Sequence, residues 1–301
     1  MDSQIADEGE LMTGAERHRN AEDANRVWWD ALARVHVHAY EEVQMLRDGK
    51  EVLDEIELRE VGDVRGKSLL HLQCHIGTDT LAWARKGAIV TGVDFSSEAI
   101  ACAEQLRDEL GLKATFIQSN VYDLPAVLSA QFDIVYSSRG VLCWLRDLRE
   151  WASIVSRFLS PGGFFYLMES HPVLNALEEE NPGTLTFANP YFHRTDAARW
   201  EAGGADYADH THTVEHPSYE WVWSLSDVFN ALIGAGLEIE FLNEYDRLFF
   251  KMFPSMTSED GRQYRLARYP GMLPLIFTLQ ANKVTYGKGC PTTLDTTEGV
   301  I

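Results

Sequence analysis

Apolar residues near the start of the chain recur at a helical spacing. The spacing between Asn20 and Gly49 is close to 3.6 residues, which predicts an amphipathic helix. A second, shorter helix is predicted over residues 52–61. Residues 1–20 and 284–301 lack such a period, and we expect both ends to be mobile. The apolar positions of the first helix are Trp28, Leu32, Val35, Val37 and Tyr40.

From Lys67 onward, short apolar runs alternate with helical patterns. This alternation predicts parallel βαβ units, whose ligands bind beyond the carboxyl ends of the strands. Helices are predicted over residues 77–86, 97–110 and 147–159. The predicted strands are SLLHL, AIVTGVD, ATFIQ, FDIVYS and FFYLME.

The alternation stops between His171 and Trp223, in a stretch rich in Asn, Pro, Gly, His and aromatic residues. A long insertion after a strand is commonly a lid or a substrate-binding segment. Regularity returns with the helix SDVFNALIGAG and the strands LEIEFLNEY and LPLIFTLQANK. The predicted organisation is a mobile N-terminus (1–20), a helical cap (21–62), a cofactor-binding core (63–172), a substrate-lid insertion (173–223), the remainder of the core (224–283) and a mobile tail (284–301).

Polar residues follow the predicted strands at the edge where a ligand is expected. Asp94 ends the second strand, where a carboxylate can accept hydrogen bonds from both hydroxyls of a ribose. Asn120 and Asp123 follow the third strand and could meet the edge of an adenine. The segments SSRGVLCW and ESHP follow the fourth and fifth strands. An acidic residue at the end of a strand also commonly caps the following helix. The order of these polar residues along the chain is therefore better evidence for a ligand site than any one of them.

In this order, the segments LLHLQCHIGTDTLAWA, VTGVDFS, SNVYDLP and FDIVYSSRGVLCWL…FLSPGGFFYL resemble the class I S-adenosylmethionine-dependent methyltransferases. The resemblance covers roughly residues 62–172 and 224–283. It implies a doubly wound α/β fold with a mostly parallel seven-stranded sheet whose last strand is antiparallel. It also implies S-adenosylmethionine as the cofactor. The expected cofactor-binding residues are Trp29, Gln73, His75, Gly77, Thr78, Asp94, Phe95, Ser96, Asn120, Val121, Ser137 and Ser138.

The first loop departs from the family pattern, because His71 replaces the usual acid while Gln73 and His75 replace two glycines. Histidine tolerates a left-handed backbone better than β-branched residues do, so we interpret the loop as modified; a degenerate, non-binding loop is the alternative. His75 is expected to point away from the cofactor or along its methionine end, and Gln73 to contact the amino-acid end. The backbone is expected to approach the cofactor most closely at Gly77. The sequence lacks the GxGxxG turn, which disfavours a dinucleotide.

Methyl transfer needs an aligned acceptor and, for an acidic acceptor, a general base. His171, just beyond the fifth strand, and Tyr191 in the insertion are the predicted catalytic residues, and Glu169 is an alternative acceptor ligand. His210, His212 and His216 in DHTHTVEH raise a metal site as an alternative. The prediction is that no metal is required.

The composition and the net charge limit the classes of binding partner. The net charge of −20 disfavours unaided binding to nucleic acid or an anionic membrane. The four cysteines are scattered, and no apolar run resembles a signal peptide or a membrane span, so a cytoplasmic location is expected. Aromatic residues on the cap and insertion predict an enclosed pocket for a small, apolar or planar acceptor. The predicted function is small-molecule methyl transfer, with a non-catalytic cofactor sensor as the alternative; a homodimer stays open.

Overall fold

The computed structural model describes residues 13–284. Its helices are Gly14–Ala39 (α1), Glu41–Arg47 (α2), Glu55–Val61 (α3), Thr78–Arg85 (α4), Ser97–Leu110 (α5), Leu124–Val127 (α6), Leu148–Phe158 (α7) and Leu225–Gly234 (α8). Its strands are Ser68–Leu72 (β1), Ile89–Asp94 (β2), Ala114–Gln118 (β3), Phe132–Ser138 (β4), Leu159–Ser170 (β5), Leu177–Asn181 (β6), Thr184–Phe187 (β7), Ala198–Trp200 (β8), Ser218–Glu220 (β9), Leu237–Tyr245 (β10), Met256–Ser258 (β11), Tyr264–Leu266 (β12) and Ile276–Lys283 (β13).

Within these residues, seven strands form one sheet in the order β10-β13-β5-β4-β1-β2-β3. The pairs from β3 to β5 are parallel, and β13 runs antiparallel to both of its neighbours. The predicted doubly wound fold with an antiparallel last strand is confirmed. Because the order reverses between β1 and β4, the carboxyl ends of these strands form the crevice where ligands of such sheets bind.

Both faces of the sheet are covered at its centre, which explains why the central strands β1 and β4 are buried at nearly every position. Leu69, Val90 and Ile134 face one core beneath α2 to α5, whereas Leu70 and Val135 face a second core beneath α7 and α8. The two cores hold the strand ends at fixed positions, so side chains beyond those ends are presented by a rigid frame.

The helical cap begins earlier than predicted and is interrupted. Thr13 and Glu16 form a capping box at the start of α1, so Gly14–Asn20 are helical, although the pattern predicts a mobile segment there. At Tyr40 the backbone is extended (φ −69°, ψ 122°), which ends α1 and starts α2, although one continuous helix to Gly49 is expected from the sequence. The other residues predicted to be mobile, 1–12 and 285–301, lie outside the described part of the chain.

The insertion after β5 consists of a short hairpin, β6 with β7, followed by the distant pair β8 with β9. A second excursion between β10 and β13 contains the hairpin β11–β12, where the sequence pattern indicates only a loop rich in Phe and Met. No helix among residues 13–284 is long and apolar enough to span a bilayer.

Candidate active site

The loop after β1 has the left-handed backbone of a glycine-rich loop, although Gln73 and His75 replace two of the glycines. Gln73 and His75 adopt left-handed φ values of 58° and 48°, and Gly77 has φ 77°. The backbone N–H of Cys74 donates to Val93 O (2.9 Å), and that of His75 donates to Asp94 Oδ2 (2.8 Å). These bonds fasten the loop to the end of β2 and hold two non-glycine residues in a backbone region that costs each about 1–2 kcal/mol.

Gly77 has a packing role, and its expected close approach to the cofactor stays a prediction. A Cβ at this position would lie 2.8 Å from Phe116 Cζ and 2.9 Å from Ala103 Cβ, two side chains of the protein. The glycine is therefore required for close packing of the loop against β3 and α5. A larger residue at this position would clash with the core.

Asp94 lies at the end of β2, as expected, and is 7 % exposed. Its Oδ1 accepts from the backbone N–H of Ser96 (2.9 Å), while Oδ2 accepts from His75. Burial raises the pKa of this carboxyl to about 6, against the lowering effect of the two backbone donors. Ser96 is itself buried and donates through Oγ to Asp30 Oδ1 on α1 (2.6 Å), so the cap is anchored beside the ribose position.

Two buried polar atoms near this crevice have no hydrogen-bond partner among the described residues: Gln73 Oε1 and Ser137 Oγ. Gln73 also donates through Nε2 to Val141 O (3.0 Å), which points its amide along the loop after β4. Burying such an atom unpaired costs free energy, so a polar ligand that supplied a partner would be favoured. Ser138, one residue further, is already satisfied by Asp79 (3.0 Å).

The cap lies directly on the loop. The ring of Trp29 packs edge-on against His75, with centroids 4.8 Å apart, and also against Trp28 and Trp144. Asn25 of α1 donates to Tyr219 O and accepts from Tyr219 N, both at 2.7 Å, which joins the cap to the insertion. Trp29 is therefore placed over the loop, where the sequence predicts it.

The residues expected at the adenine lie at the end of β3, under the same helix. Asn120 accepts from Tyr122 N (3.1 Å) and donates to Glu22 Oε1 of α1 (3.3 Å). Val121 is buried and Phe95 is half-buried. Thr78 is the first residue of α4. The expected residues thus lie on neighbouring strand ends around one crevice.

The predicted catalytic residues contact other parts of the protein. His171 is 6 % exposed; its Nδ1 accepts from Val173 N (3.2 Å), and its Nε2 lies 3.0 Å from Glu244 Oε1 on β10. Burial lowers the pKa of the ring. Tyr191 is half-buried in the insertion and packs against Phe192.

Glu169, considered as an acceptor ligand, is instead occupied by the protein. Its carboxylate accepts from the backbone N–H groups of Gly140 (2.8 Å), Val141 (2.7 Å) and Leu142 (3.0 Å). It therefore holds the loop after β4 in place. Burial raises the pKa of this carboxyl, partly offset by those donors.

The residue that replaces the usual acid, His71, is buried in the core. Its Nδ1 is 2.8 Å from Thr80 Oγ1, and its ring packs edge-on against Tyr136. Burial lowers its pKa to about 3, so the side chain is neutral at physiological pH. The position has become part of the packing beneath the loop.

His210, His212 and His216 lie in turns and not on the extended strand that the HxH pattern suggests. The Nδ1 of His210 is 3.1 Å from Asp206 O. Among residues 13–284, no group of three or more His, Cys, Asp or Glu side chains is arranged to hold a metal ion.

Sequence reasoning missed two residues that are linked to the loop, one directly and one through the other. His36 of α1 bonds to His75, and Asp206 of the insertion bonds to His36. The two lie 39 and 131 positions from His75 along the chain, and no local motif links them. The features of the sequence that could have pointed to these residues are the charged and aromatic residues of the cap and the insertion.

Comparison with known proteins places this geometry in a family. Residues 70–165, which run from β1 into β5, match the family model described as a methyltransferase domain. An uncharacterised methyltransferase of Synechocystis is 31 % identical over 131 residues, which cover 43 % of this chain and 59 % of that protein. A ubiquinone biosynthesis O-methyltransferase of Vibrio campbellii is 35 % identical over 78 residues, 26 % of this chain and 33 % of its own length. The chain thus spans between a third and three fifths of these curated relatives.

A solved structure of an S-adenosylmethionine-dependent methyltransferase from Mesorhizobium loti superposes with a TM-score of 0.51 at 20 % identity, over 75 % of this chain and 96 % of that one. At that identity the likeness concerns the fold, and it agrees with the strand order described above. The predicted fold is confirmed, and the predicted methyltransferase domain is confirmed over residues 70–165.

Proposed function

We propose that this chain, which contains a class I S-adenosylmethionine-dependent methyltransferase domain with S-adenosylmethionine as its cofactor, transfers a methyl group in line to a small, apolar or planar acceptor. The acceptor would enter between the cap, the loop after β4 and the insertion. The observation that carries the proposal is the loop after β1, which keeps a left-handed backbone at Gln73 and His75 and is tied to Asp94.

The residues around the crevice fit the parts of this cofactor. Asp94 would accept from the ribose hydroxyls with the lone pairs that its two backbone donors leave free. Gln73 Oε1 and Ser137 Oγ would bond to the polar methionine end, which would satisfy two buried atoms. Asn120 and Val121 would lie along the adenine. These assignments extend the predicted set of cofactor contacts.

The bound cofactor supplies an activated methyl group, so the protein mainly aligns the acceptor and excludes water. Trp28, Trp29 and Trp144 form an aromatic layer over the loop. Such a layer suits a planar or apolar acceptor, because large aromatic side chains bury apolar area and stack on flat ligands. His171 and Tyr191 stay predicted catalytic residues that would join this region from β5 and the insertion.

The net charge of −20 supports a small-molecule partner over nucleic acid or an anionic membrane. The second candidate function is a cofactor sensor that binds without transferring methyl. The edge-on contact between Trp29 and His75 favours it, because the cap lies directly on the loop and leaves less room for an acceptor.

Calorimetric titration with S-adenosylhomocysteine tests cofactor binding. Asp94→Asn should weaken binding at least tenfold, because an amide opposes the two backbone donors and offers fewer acceptor sites. The matched control is Asp23→Asn, an exposed residue of α1, which should bind as the parent does. Equal affinity for both variants would remove Asp94 from the site.

Turnover separates the two functions. The parent is incubated with S-adenosylmethionine and a panel of small phenols, catechols and thiols, and formation of S-adenosylhomocysteine is followed. Acceptor-dependent product supports methyl transfer. Binding without product from any member of the panel supports the sensor.

A further inference from the structure

Three side chains far apart in sequence form a continuous hydrogen-bonded chain that ends in the loop after β1. His75 Nε2 is 2.9 Å from His36 Nδ1, and His36 Nε2 is 3.0 Å from Asp206 Oδ2. His36 and Asp206 are 0 % and 1 % exposed. The loop, the cap and the insertion each contribute one member.

Aromatic rings fix the geometry of this chain. Tyr40 stacks on His36 at 4.6 Å with an 18° angle between the planes, and Tyr207 packs edge-on at 5.0 Å. The hydroxyls of Tyr40 and Tyr207 bond to each other. Neither imidazole can therefore turn without displacing a neighbouring ring.

The chemistry of Asp206 decides where the protons lie. Its Oδ1 accepts from the backbone N–H of Ala208 (3.0 Å) and Asp209 (2.8 Å). Burial works to raise the pKa of this carboxyl, but the bond to His36 and these backbone donors lower it overall. An ionised carboxylate only accepts, so His36 donates through Nε2, and a neutral His36 accepts at Nδ1. His75 then donates through Nε2, which leaves its Nδ1 with a free lone pair that bonds to no described residue.

We propose that His75 is the general base of the methyl transfer, and that His36 and Asp206 are positioning residues that hold it in the base-competent tautomer. The proposal rests on the proposed function. It accounts for a histidine at a position where the related loops carry glycine. His171 is less suited, because its Nδ1 already accepts from Val173 and its Nε2 faces Glu244.

The methyl transfer moves one proton and one methyl group. The acceptor's X–H proton moves to His75 Nδ1 while a lone pair on X forms the bond to the methyl carbon. The carbon–sulfur bond breaks, and its electrons stay on sulfur as a neutral thioether. After the product leaves, His75 releases the proton from Nδ1 to water, which restores the tautomer with Nε2 protonated.

The ionisable groups that face this chain come from every element around it. Tyr40 lies between α1 and α2, and Tyr207 lies in the insertion; burial raises the pKa of both hydroxyls, so they stay neutral. Asp94 of β2 faces the backbone N–H of His75. Burial lowers the pKa of His75, which keeps the ring neutral before the reaction.

The first test needs no acceptor. Long-range proton–nitrogen spectra of the full chain at pH 7, assigned with His75→Gln and His36→Gln, report which ring nitrogens carry protons. We expect His75 protonated at Nε2 and bare at Nδ1. In Asp206→Asn the amide can donate to His36 Nε2, so the chain should invert and place a proton on His75 Nδ1; Asp206→Glu should restore the parent pattern.

The matched control is His38→Gln, an exposed residue of the same helix, which should leave both tautomers unchanged. A proton on Nδ1 of His75 in the parent, or the same pattern in the parent and Asp206→Asn, would overturn the proposal. The parent spectrum alone is decisive if the Asn variant does not fold.

The second test measures turnover with the acceptor panel above. His75→Gln and Asp206→Asn should each lower kcat about 100-fold, within the usual range for a positioned base. Binding of S-adenosylhomocysteine should change less than threefold, and His38→Gln should act as the parent. Unchanged kcat in His75→Gln contradicts the base role alone. Failure of the parent to bind S-adenosylhomocysteine, or to form product, contradicts the proposed function itself.

Discussion

Replacing Gly77 by Ala should destabilise the fold through two separable effects. A non-glycine residue at φ 77° costs about 1–2 kcal/mol of backbone strain. The new Cβ also lies 2.8 Å from Phe116 Cζ and 2.9 Å from Ala103 Cβ, and overpacking of this kind costs about 1–3 kcal/mol. The free energy of unfolding should therefore fall by about 2–5 kcal/mol.

Urea denaturation followed by tryptophan fluorescence measures the loss, and Gly111→Ala is the matched control. Gly111 also has a left-handed φ, 64°, but nothing lies within 4 Å of its added Cβ, so this variant reports strain alone. The difference between the two variants isolates the steric part, expected to be about 1–3 kcal/mol.

A third variant tests the identity of the clash. In the Gly77→Ala background, Phe116→Leu should destabilise less than it does in the parent, because the shorter side chain relieves the contact. Coupling of about 0.5 kcal/mol or more is expected for residues in contact. Equal losses at Gly77 and Gly111, with no coupling to Phe116, would refute the assignment of this glycine to helix–strand packing.

Three further outcomes are expected. The pKa of His71 is about 6.5 in the unfolded chain and about 3 in the folded chain. The unfolded chain therefore binds more protons between these pH values. This residue makes the free energy of unfolding rise by about 1.4 kcal/mol per pH unit over that range. Urea titrations at pH 4 and pH 6 should show a smaller rise in His71→Gln than in the parent; the same rise in both contradicts a buried neutral His71. Affinity for S-adenosylhomocysteine, measured by calorimetry, should fall below about pH 6 as Asp94 takes up a proton, and a flat profile would argue against a role for its carboxylate. Glu169→Gln should cost at least ~2 kcal/mol of stability, because an amide opposes the N–H groups of the loop after β4, whereas exposed Glu178→Gln should be neutral in the same melts.

Local pattern by itself determines most of the sheet. The helix over residues 97–110 and the strands over 114–118 and 237–245 have the bounds that periodicity predicts. Alternating strands and helices, with Asp94 at a strand end, also predict a parallel sheet with a ligand crevice at its carboxyl edge. This succeeds because backbone hydrogen bonding imposes its period on the residues of one element, and a parallel sheet puts strand ends together.

Where an outcome depends on residues distant in sequence, only the tertiary structure decides it. Whether Gly77 serves the cofactor or the core depends on Phe116, which lies on another strand. The chain from His75 through His36 to Asp206 joins three separate segments and follows no spacing rule. Such contacts form when the cap and the insertion pack over the sheet. The free energy of that packing is distributed over many residue contacts, which no short sequence motif reveals.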